Sequence, residues 1–371
     1  MSTNNRIFYA CQGIAIAHHG TAVGSYGTGN MVHGVQSVGM TTTFNPEQAF
    51  ELGQVEIYEN IEGTPDVEVT LEKALDGYPL IYHMASTGVA GGVAANSGLV
   101  GRSKEQCDLR LGIFDEGVNN IGGADSDSAE VEIYCSGMFI GSVGYTIPVD
   151  GFATESVTLV GNNKQWLTSS VAISDTMANE FDGNDEPFAL GDAVLPSGGI
   201  SRREDVIFSQ CIWPKSIKGV NQNTNPGNGL HSDGSQLIHV QSVSVNTDFS
   251  REDIFELGRK TPYYRPAGFP IEVTCEIESI TTSGDFVFAY EDGDPSLYAS
   301  KASGDNTAEE SIYVVLRGGY QFDLGAKNRL TSVSYGGGDA TGGNVATSYS
   351  YTNFNDLDVQ YSGDYFGFNT I

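Results

Sequence analysis

The chain has 371 residues, and its 18 lysines and arginines against 47 aspartates and glutamates give a formal charge of −29. This charge excludes net attraction to the phosphate backbone of a nucleic acid. Because 39% of the residues are hydrophobic and only 18% are charged, the chain should fold, and its 47 glycines, 18 tyrosines and 18 phenylalanines favour strands and turns. No apolar run approaches the ~20 residues of a membrane helix, so we expect no membrane partner.

An internal repeat is the strongest pattern in the chain. Residues 35–53 read VQSVGMTTTFNPEQAFELG and residues 240–258 read VQSVSVNTDFSREDIFELG, with 11 identities in 19 ungapped positions. The motif IFxxC begins at Ile7 and again at Ile207, which predicts a strand at both places. A repeat of this length indicates two copies of one fold. The predicted division is 1–165 for the first domain, 166–200 for an acidic arm and linker, and 201–371 for the second domain.

Each copy is predicted to begin with two strands of alternating polarity. In the second copy Val243, Val245 and Phe249 share a face, and the first copy places Val38, Met40, Thr42 and Phe44 on the corresponding face. The triplet EVT then recurs in the next strand, at 68–70 and at 272–274, which suggests that these positions correspond. One apolar and one polar face on each strand indicate an antiparallel sheet that is buried on one side.

Later segments complete the predicted fold. The motif DGxPxxY at 76–82 recurs at 292–298 and predicts a short helix in each copy. Further strands are predicted at 109–114, 130–147 and 154–160, with counterparts at 311–316, 330–335 and 344–361. The predicted fold class is therefore mainly β, with two tandem β-sandwich or partial-barrel domains of one type, each with one short helix.

The segment FNPEQAFELGQVEIYENIEGTPDVEVTLEKALDGYPLIYHMA, residues 44–85, resembles tail tube proteins of long-tailed bacteriophages. The resemblance is best over residues 7–86, and the second copy carries it through its FELG and PxEVT segments. In that family a β-sandwich with a flanking helix adds strands to a continuous barrel, and rings of six such folds stack into a tube that conducts DNA. The resemblance implies a location in the virion tail after assembly in the host cytoplasm. It also implies other tail proteins as partners: a sheath if the tail is contractile, a tape measure, a baseplate or tip, and a terminator.

Two copies in one chain change the expected stoichiometry. If six folds close a ring, three chains suffice, so we expect a trimer with pseudo-sixfold symmetry whose rings stack head to tail. The alternative is a hexamer with the second copy on the outside. The loop at 88–101 and the acidic arm at 175–192 are candidates for contacts with the next ring.

The polar face of the second strand in each copy is the predicted channel lining. An acidic channel repels phosphate, so DNA would pass through it without specific binding. The candidate lining residues are Glu68, Thr70, Glu72, Glu272, Thr274, Glu276 and Glu278. The alternative is that these side chains only face solvent on a β-sandwich.

The FELG segments are predicted to connect the two strands of each copy, through Phe50, Leu52 and Gly53 in the first and Phe255, Leu257 and Gly258 in the second. The connection is longer than a tight hairpin turn. We expect the glycines to adopt positive φ and the phenylalanine and leucine side chains to fill the core.

Signals for catalysis or metal binding are absent from the sequence. His18 and His19 are adjacent and would point to opposite faces of a strand, and no GxSxG or HExxH motif occurs. The five cysteines are odd in number and form no CxxC pair, which indicates free thiols. We expect no enzyme, no catalytic residue, no metal and no cofactor. The second candidate function is a carbohydrate- or receptor-binding β-sandwich of a virion or adhesin, and the third is an enzyme on a β scaffold.

Overall fold

The computed structural model describes residues 12–20, 31–53, 55–87, 98–113, 131–168, 199–217, 220, 238–280, 309–336 and 344–361. Strands dominate these residues, which confirms the predicted mainly-β class. The first half contains β1 (Gln12–His18), β2 (Val35–Thr43), β3 (Glu47–Phe50), β4 (Ile57–Ile61), β5 (Asp66–Ala74), α1 (Ile81–Thr87), α2 (Leu99–Arg102), β6 (Cys107–Ile113), β7 (Val131–Pro148), β8 (Thr154–Gly161) and β9 (Gln165–Thr168). The second half contains a 3-10 turn (Arg203–Asp205), β10 (His239–Asp248), β11 (Glu272–Ile280), β12 (Tyr313–Val315), β13 (Tyr320–Asp323), β14 (Arg329–Gly336), β15 (Ala346–Phe354) and β16 (Asp358–Tyr361).

One antiparallel sheet runs through both halves of the chain. Its strand order is β14-β15-β11-β10-β7-β8-β5-β2, so β7 of the first half pairs with β10 of the second. Strand β7 is 18 residues long and pairs with different strands along its length. Its first part pairs with β6 and β9, and its last part lies between β8 and β10. The predicted domain boundaries stay a prediction, since the two halves share this sheet.

The apolar face of the sheet forms the core. Burial alternates along β11, where Val273, Cys275 and Ile277 are buried between exposed residues, as the period of two predicts. A three-stranded sheet, β12-β13-β16, covers this face, and Tyr145 of β7 contacts Phe322 of β13 with ring centroids 4.8 Å apart. The result is a second layer over part of the large sheet.

A short helix lies where the sequence indicates it in the first copy. Helix α1 starts two residues after Pro79, as the DGxPxxY motif predicts, while its counterpart at 292–298 lies outside the described residues. The strand predicted at IFxxC is wrong for the second copy. There the backbone turns, with the amides of Gln210 and Cys211 bonding the carbonyl of Ile207, and the first IFxxC lies outside the described residues.

A buried carboxylate anchors α1 to the sheet. Glu155 of β8 has no exposed surface and accepts hydrogen bonds from the backbone amides of Ile81 (2.7 Å) and Tyr82 (3.1 Å) and from the Tyr145 hydroxyl (3.2 Å). It thereby satisfies amides of the first helical turn, which have no partner within the helix. Burial raises the pKa of Glu155 to about 7, although the hydrogen bonds from the two amides oppose the shift.

Replacing Glu155 should change how stability depends on pH. Because its pKa in the folded chain lies above its ordinary value, its contribution to stability is fully present below that ordinary value and is lost as pH rises through about 7. Glu155→Gln should remove this loss. Between about pH 5 and pH 8, the difference in unfolding free energy should shift by roughly 1–3 kcal/mol in favour of the variant. Urea denaturation followed by circular dichroism measures this shift. Parallel curves for Glu155→Gln and wild type would contradict the assignment.

Candidate functional site

All seven predicted lining residues lie on one polar face of the large sheet. Along β5 and β11 they alternate with buried residues, and all are exposed except Glu278, which is half-buried. Serines of neighbouring strands donate hydrogen bonds to three of the glutamates: Ser37 to Glu72 (3.3 Å), Ser242 to Glu278 (3.3 Å) and Ser348 to Glu276 (2.5 Å). Such bonds fix the glutamate side chains on the strand surface.

The rest of this polar face carries small, neutral side chains. It consists of serine, threonine and glycine for the most part, as in Ser142, Gly144 and Thr146 of β7. Asp66 and Asp248 add carboxylates. Arg329, at the start of β14, is the one arginine or lysine that these eight strands place on the face, and His239 lies at the start of β10. The face is therefore smooth and negatively charged along most of its length.

The large sheet consists of two four-stranded units with matching order. The first unit is β2-β5-β8-β7 and the second is β10-β11-β15-β14. Irregularities of register fall at matching places. The first irregularity lies between Val35 and Ser37 of β2 and, in the second unit, between Val240 and Ser242 of β10. The second irregularity lies between Ile140 and Ser142 of β7 and, in the second unit, between Leu330 and Ser332 of β14. Such bulges are specific features, so their repetition makes the strands equivalent one by one.

This register corrects one correspondence drawn from the sequence. Glu68 lies opposite Thr41, whereas the partner of Asn246, the counterpart of Thr41 in the repeat, is Thr274. The two EVT triplets are therefore displaced by two residues and are not equivalent. A shift of two keeps every side chain on the same face, so the predicted lining residues still share the polar face.

The two units are joined by the pairing of β7 with β10. The ladder runs from Ser142 opposite Asp248 to Pro148 opposite Ser242, and it continues in the bond from the Phe249 amide to the Gly141 carbonyl (2.9 Å). The Arg251 guanidinium lies over the rings of Phe139 (4.7 Å) and Phe249 (5.4 Å) and donates to the Ile140 carbonyl (2.7 Å). Burial lowers the pKa of Arg251 to about 10, so it remains protonated at neutral pH.

An ionic contact strengthens the same junction. The nearly buried Arg265 of the second half binds Asp66 at the start of β5 (2.7 Å) and Asp253 on its own connection. The pair with Asp66 links the two halves across the junction. Sequence analysis missed Arg265, Arg251 and Phe139, because nothing in the repeat reveals which strand edges meet.

The outer edges of the sheet are β2 and β14, and within the described residues no strand pairs with their outer sides. These two strands are the counterparts of β10 and β7, which pair with each other inside the chain. Phe44 shows what the open edge leaves uncovered: 73% of it is exposed, while its counterpart Phe249 at the closed junction is 0% exposed. The prediction that Phe44 is buried is therefore wrong for the chain alone.

Both FELG segments lie in the connections between paired strands, as predicted, but their side chains do not fill the core. Phe50, Leu52, Phe255 and Leu257 are strongly exposed, because each connection projects beyond the sheet. The first connection forms a hairpin of β3 and β4, and the second has a single bridge between Ile254 and Tyr264. Gly53 and Gly258 have φ of 96° and 91°, which confirms the predicted positive φ. These connections carry exposed apolar residues, which is typical of contact surfaces.

The described residues contain no cluster of three His, Cys, Asp or Glu side chains that could hold a metal ion. His18 and His19 bind different carboxylates, those of Glu105 and Asp108, both at 2.8 Å. Burial raises the pKa of the thiols of Cys107, Cys135, Cys211 and Cys275, so they are protonated at neutral pH. No helix in this part of the chain is long and apolar enough to cross a membrane.

Comparisons with known proteins give distant likenesses only. No family model and no curated protein matches the chain. Among solved structures, the anti-feeding prophage cap, described as a tube terminating cap, is 14% identical and matches 45% of this chain and 95% of its own, with a TM-score of 0.30. The tail of an empty gene transfer agent particle is 11% identical over 33% of this chain and 83% of its own (TM-score 0.24). A chain of the native gene transfer agent virion is 10% identical over 35% and 92% (TM-score 0.24). Scores this low assign neither a fold family nor a function to this chain.

Removing the ionic contact of Arg265 should weaken the junction between the halves. Arg265→Met leaves Asp66 and Asp253 without their cation in a partly buried place, and the free energy of unfolding should fall by about 1–3 kcal/mol. Arg259→Met is the matched control, since its pair with Glu256 is solvent-exposed (3.2 Å) and its loss should cost less than about 0.5 kcal/mol. Urea denaturation of the two variants measures both values, and equal costs would contradict the role given to Arg265.

Proposed function

We propose that the chain is a structural subunit of a bacteriophage-type tail tube, and that its large sheet continues from one copy to the next to form a channel. One observation carries this proposal. The edges left open, β2 and β14, are the counterparts of the edges that pair inside the chain, β10 and β7. An edge strand is a template for pairing, and here each edge fits the opposite edge of another copy.

The internal junction specifies how two copies would pair. Gly144 lies opposite Asn246 in β7 and β10. Their counterparts at the open edges are Ser334 and Thr41, so these two residues should face each other in the β14–β2 ladder. The contact is heterologous, because different edges meet, and repetition of one rotation closes a ring. Closure then removes both exposed edges.

The register of the sheet sets the size of such a ring. Gly39 of β2 is connected through directly opposite residues of β5, β8 and β7 to Asp248 of β10. The residue of β10 that is equivalent to Gly39 in the repeat is Ser244. One unit of four strands therefore shifts the register along the strands by four residues. With about 4.8 Å between strands and about 3.3 Å per residue, this displacement tilts the strands by about 35° from the ring axis. Six units then give a barrel about 45 Å across its backbone.

This size favours three chains in a ring. The six units of three chains leave a channel that is wide enough for a DNA duplex after side chains are included. The four units of two chains would give a barrel about 30 Å across its backbone, and the side chains would narrow that channel below the width of a duplex. A trimer with pseudo-sixfold symmetry is therefore our proposal. In a hexamer with the second copy of each chain on the outside, only first copies would meet around the ring. The contacts between chains would then not repeat the β7–β10 pairing that the chain contains.

The acidic face is proposed as the channel lining. The tilted polar rows present Glu68, Glu72, Glu272, Glu276 and Glu278 among serines and threonines. Repulsion between these carboxylates and phosphate keeps DNA from adhering, so it slides through without specific contacts. The chain would thus act by assembly and charge, without catalysis, metal or cofactor.

Rings must also stack, and the exposed connections are the proposed stacking surfaces. Leu52 and Leu257 stand fully exposed at equivalent tips, accompanied by Phe50 and Phe255. Burying such apolar residues against a neighbouring ring gives a tube located in the virion tail after assembly in the host cytoplasm. Its ends would meet other tail proteins, among them a tape measure, a baseplate or tip, a terminator, and a sheath if the tail contracts. The loop at 88–101 and the arm at 175–192 lie almost entirely outside the described residues.

A disulfide between copies should test the sheet continuation. In the double variant Thr41→Cys and Ser334→Cys, the two thiols belong to residues that face each other on one side of the proposed ladder. Mild oxidation should yield covalent trimers on non-reducing gels, and electron microscopy of the same sample should show rings.

The control for this experiment moves one cysteine by a single position. Thr42→Cys with Ser334→Cys places the thiols on opposite faces of the sheet and should give little crosslinking. Equal crosslinking of both variants, or a monomer at every concentration with binding to glycans, would contradict the tube and favour the carbohydrate-binding alternative.

Reversing the charge of the lining should make the channel retain DNA. Lysine at positions 68, 72, 272, 276 and 278 should leave folding intact because these side chains lie on the polar face, but the tubes should bind DNA with strong salt dependence. Glutamine at the same five positions is the control that removes repulsion without adding attraction. Fluorescent duplex retained by purified tubes, and infectivity where a phage can be engineered, are the measurements. Infectivity that is normal with the lysine lining would contradict the channel assignment.

A further inference from the structure

The junction inside the chain provides a residue-by-residue template for the junction between copies. Between residues 44 and 63 the first connection matches the second at a constant spacing of 205. Phe44 matches Phe249, and Gly63 matches Gly268, each glycine lying against the carbonyl of the residue after that phenylalanine. The bridge between Ile254 and Tyr264 corresponds to Ala49 opposite Glu59. Glu59 is therefore the counterpart of Tyr264.

The strand on the other side of the junction is matched by its bulge. Phe139 pairs with Val160 just before the irregularity at 140–142, and Arg329 pairs with Thr352 just before the irregularity at 330–332. Arg329 thus occupies in the second unit the place that Phe139 occupies in the first.

Inside the chain this place is an aromatic contact. The ring of Phe139 packs edge-on against the ring of Tyr264, with centroids 6.1 Å apart, and the Arg251 guanidinium lies over the Phe139 ring. Phe139 is buried as a result. Residues of the second connection therefore contact the middle of β7 through aromatic and cation–π interactions.

At the open edges the same positions carry charges of opposite sign. Arg329 replaces Phe139, Glu59 replaces Tyr264, and Pro46 replaces Arg251. Both Arg329 and Glu59 are exposed, and within the described residues neither forms an ion pair. We propose that Arg329 of one copy and Glu59 of the next form an ion pair that fixes the register of the β14–β2 junction.

Other charges of the internal junction have no counterpart between copies, which makes this pair the main ionic contact there. Asn60 stands in the place of Arg265 and Gln48 in the place of Asp253, so the arginine clamp on Asp66 is not repeated. Asn60 and Gln48 therefore offer no cation to Glu272, the counterpart of Asp66, which lies opposite Asp248 within the chain. The junction inside the chain and the proposed junction between copies thus share a backbone register but differ in their side chains. The second connection suits β7, and the first connection suits β14.

This inference rests on the proposed function, and charge reversal separates the two. Arg329→Glu and Glu59→Arg should each raise the concentration needed for ring formation by roughly tenfold or more, because like charges then meet at every junction between copies. The first variant makes the chain more acidic and the second makes it less acidic, so a shared defect is not an effect of net charge. The double variant Arg329→Glu with Glu59→Arg restores opposite charges and should assemble as the wild type does.

Mass photometry over a concentration series, with negative-stain electron microscopy, gives the result. Glu56→Arg is the matched control, since Glu56 is exposed on the same connection and has no counterpart partner on β14. Thermal unfolding should be unchanged in all variants. Single variants that assemble normally, or a double variant that stays defective, overturn the ion pair while leaving the tube proposal in place. A wild-type chain that forms no rings under any condition overturns both.

Discussion

The pairing of β7 with β10 is the contact on which the rest of the structure depends. It joins two four-stranded units into one sheet and gives both units a common core face and a common polar face. It also buries Phe249, whereas the counterpart Phe44 at the open edge is exposed. Main-chain hydrogen bonds set its register, and the arginine contacts of residues 251 and 265 lock it. Because the units are alike, this one contact is also the template for the pairing that we propose for their outer edges.

The inner junction and the outer edges are built from equivalent strands that carry different side chains. The inner junction is closed by aromatic rings, a buried guanidinium and a carboxylate clamp, which suit a contact that forms once during folding. The outer edges carry mostly exposed polar residues with few charges, which would suit the reversible contact between copies that we propose. The polar face is common to both units, and its carboxylates lie in neighbouring rows of the same sheet.

Much of the fold follows from local patterns. The alternation around Val273 and Val69 predicted the strands and their buried faces, Pro79 predicted the start of α1, and Gly53 and Gly258 predicted positive φ. The patterns failed where a neighbour in space decides the outcome. Phe44, Phe50 and Leu52 are exposed because no described element packs over them. The second IFxxC forms a turn because its amides bond within the segment. Nothing in the sequence indicated the ion pair between Arg265 and Asp66, because these two residues lie 199 positions apart in the chain.

Covalent linkage of two units alters the statistics of any closed array built from them. Half of the junctions become intramolecular, so they form at an effective concentration that dilution does not change. Only the remaining junctions lose translational freedom when they form, and a ring of three bodies is completed in fewer bimolecular steps than a ring of six. The β7–β10 ladder would therefore lower the threshold concentration for closure and sharpen the transition from free chains to complete rings.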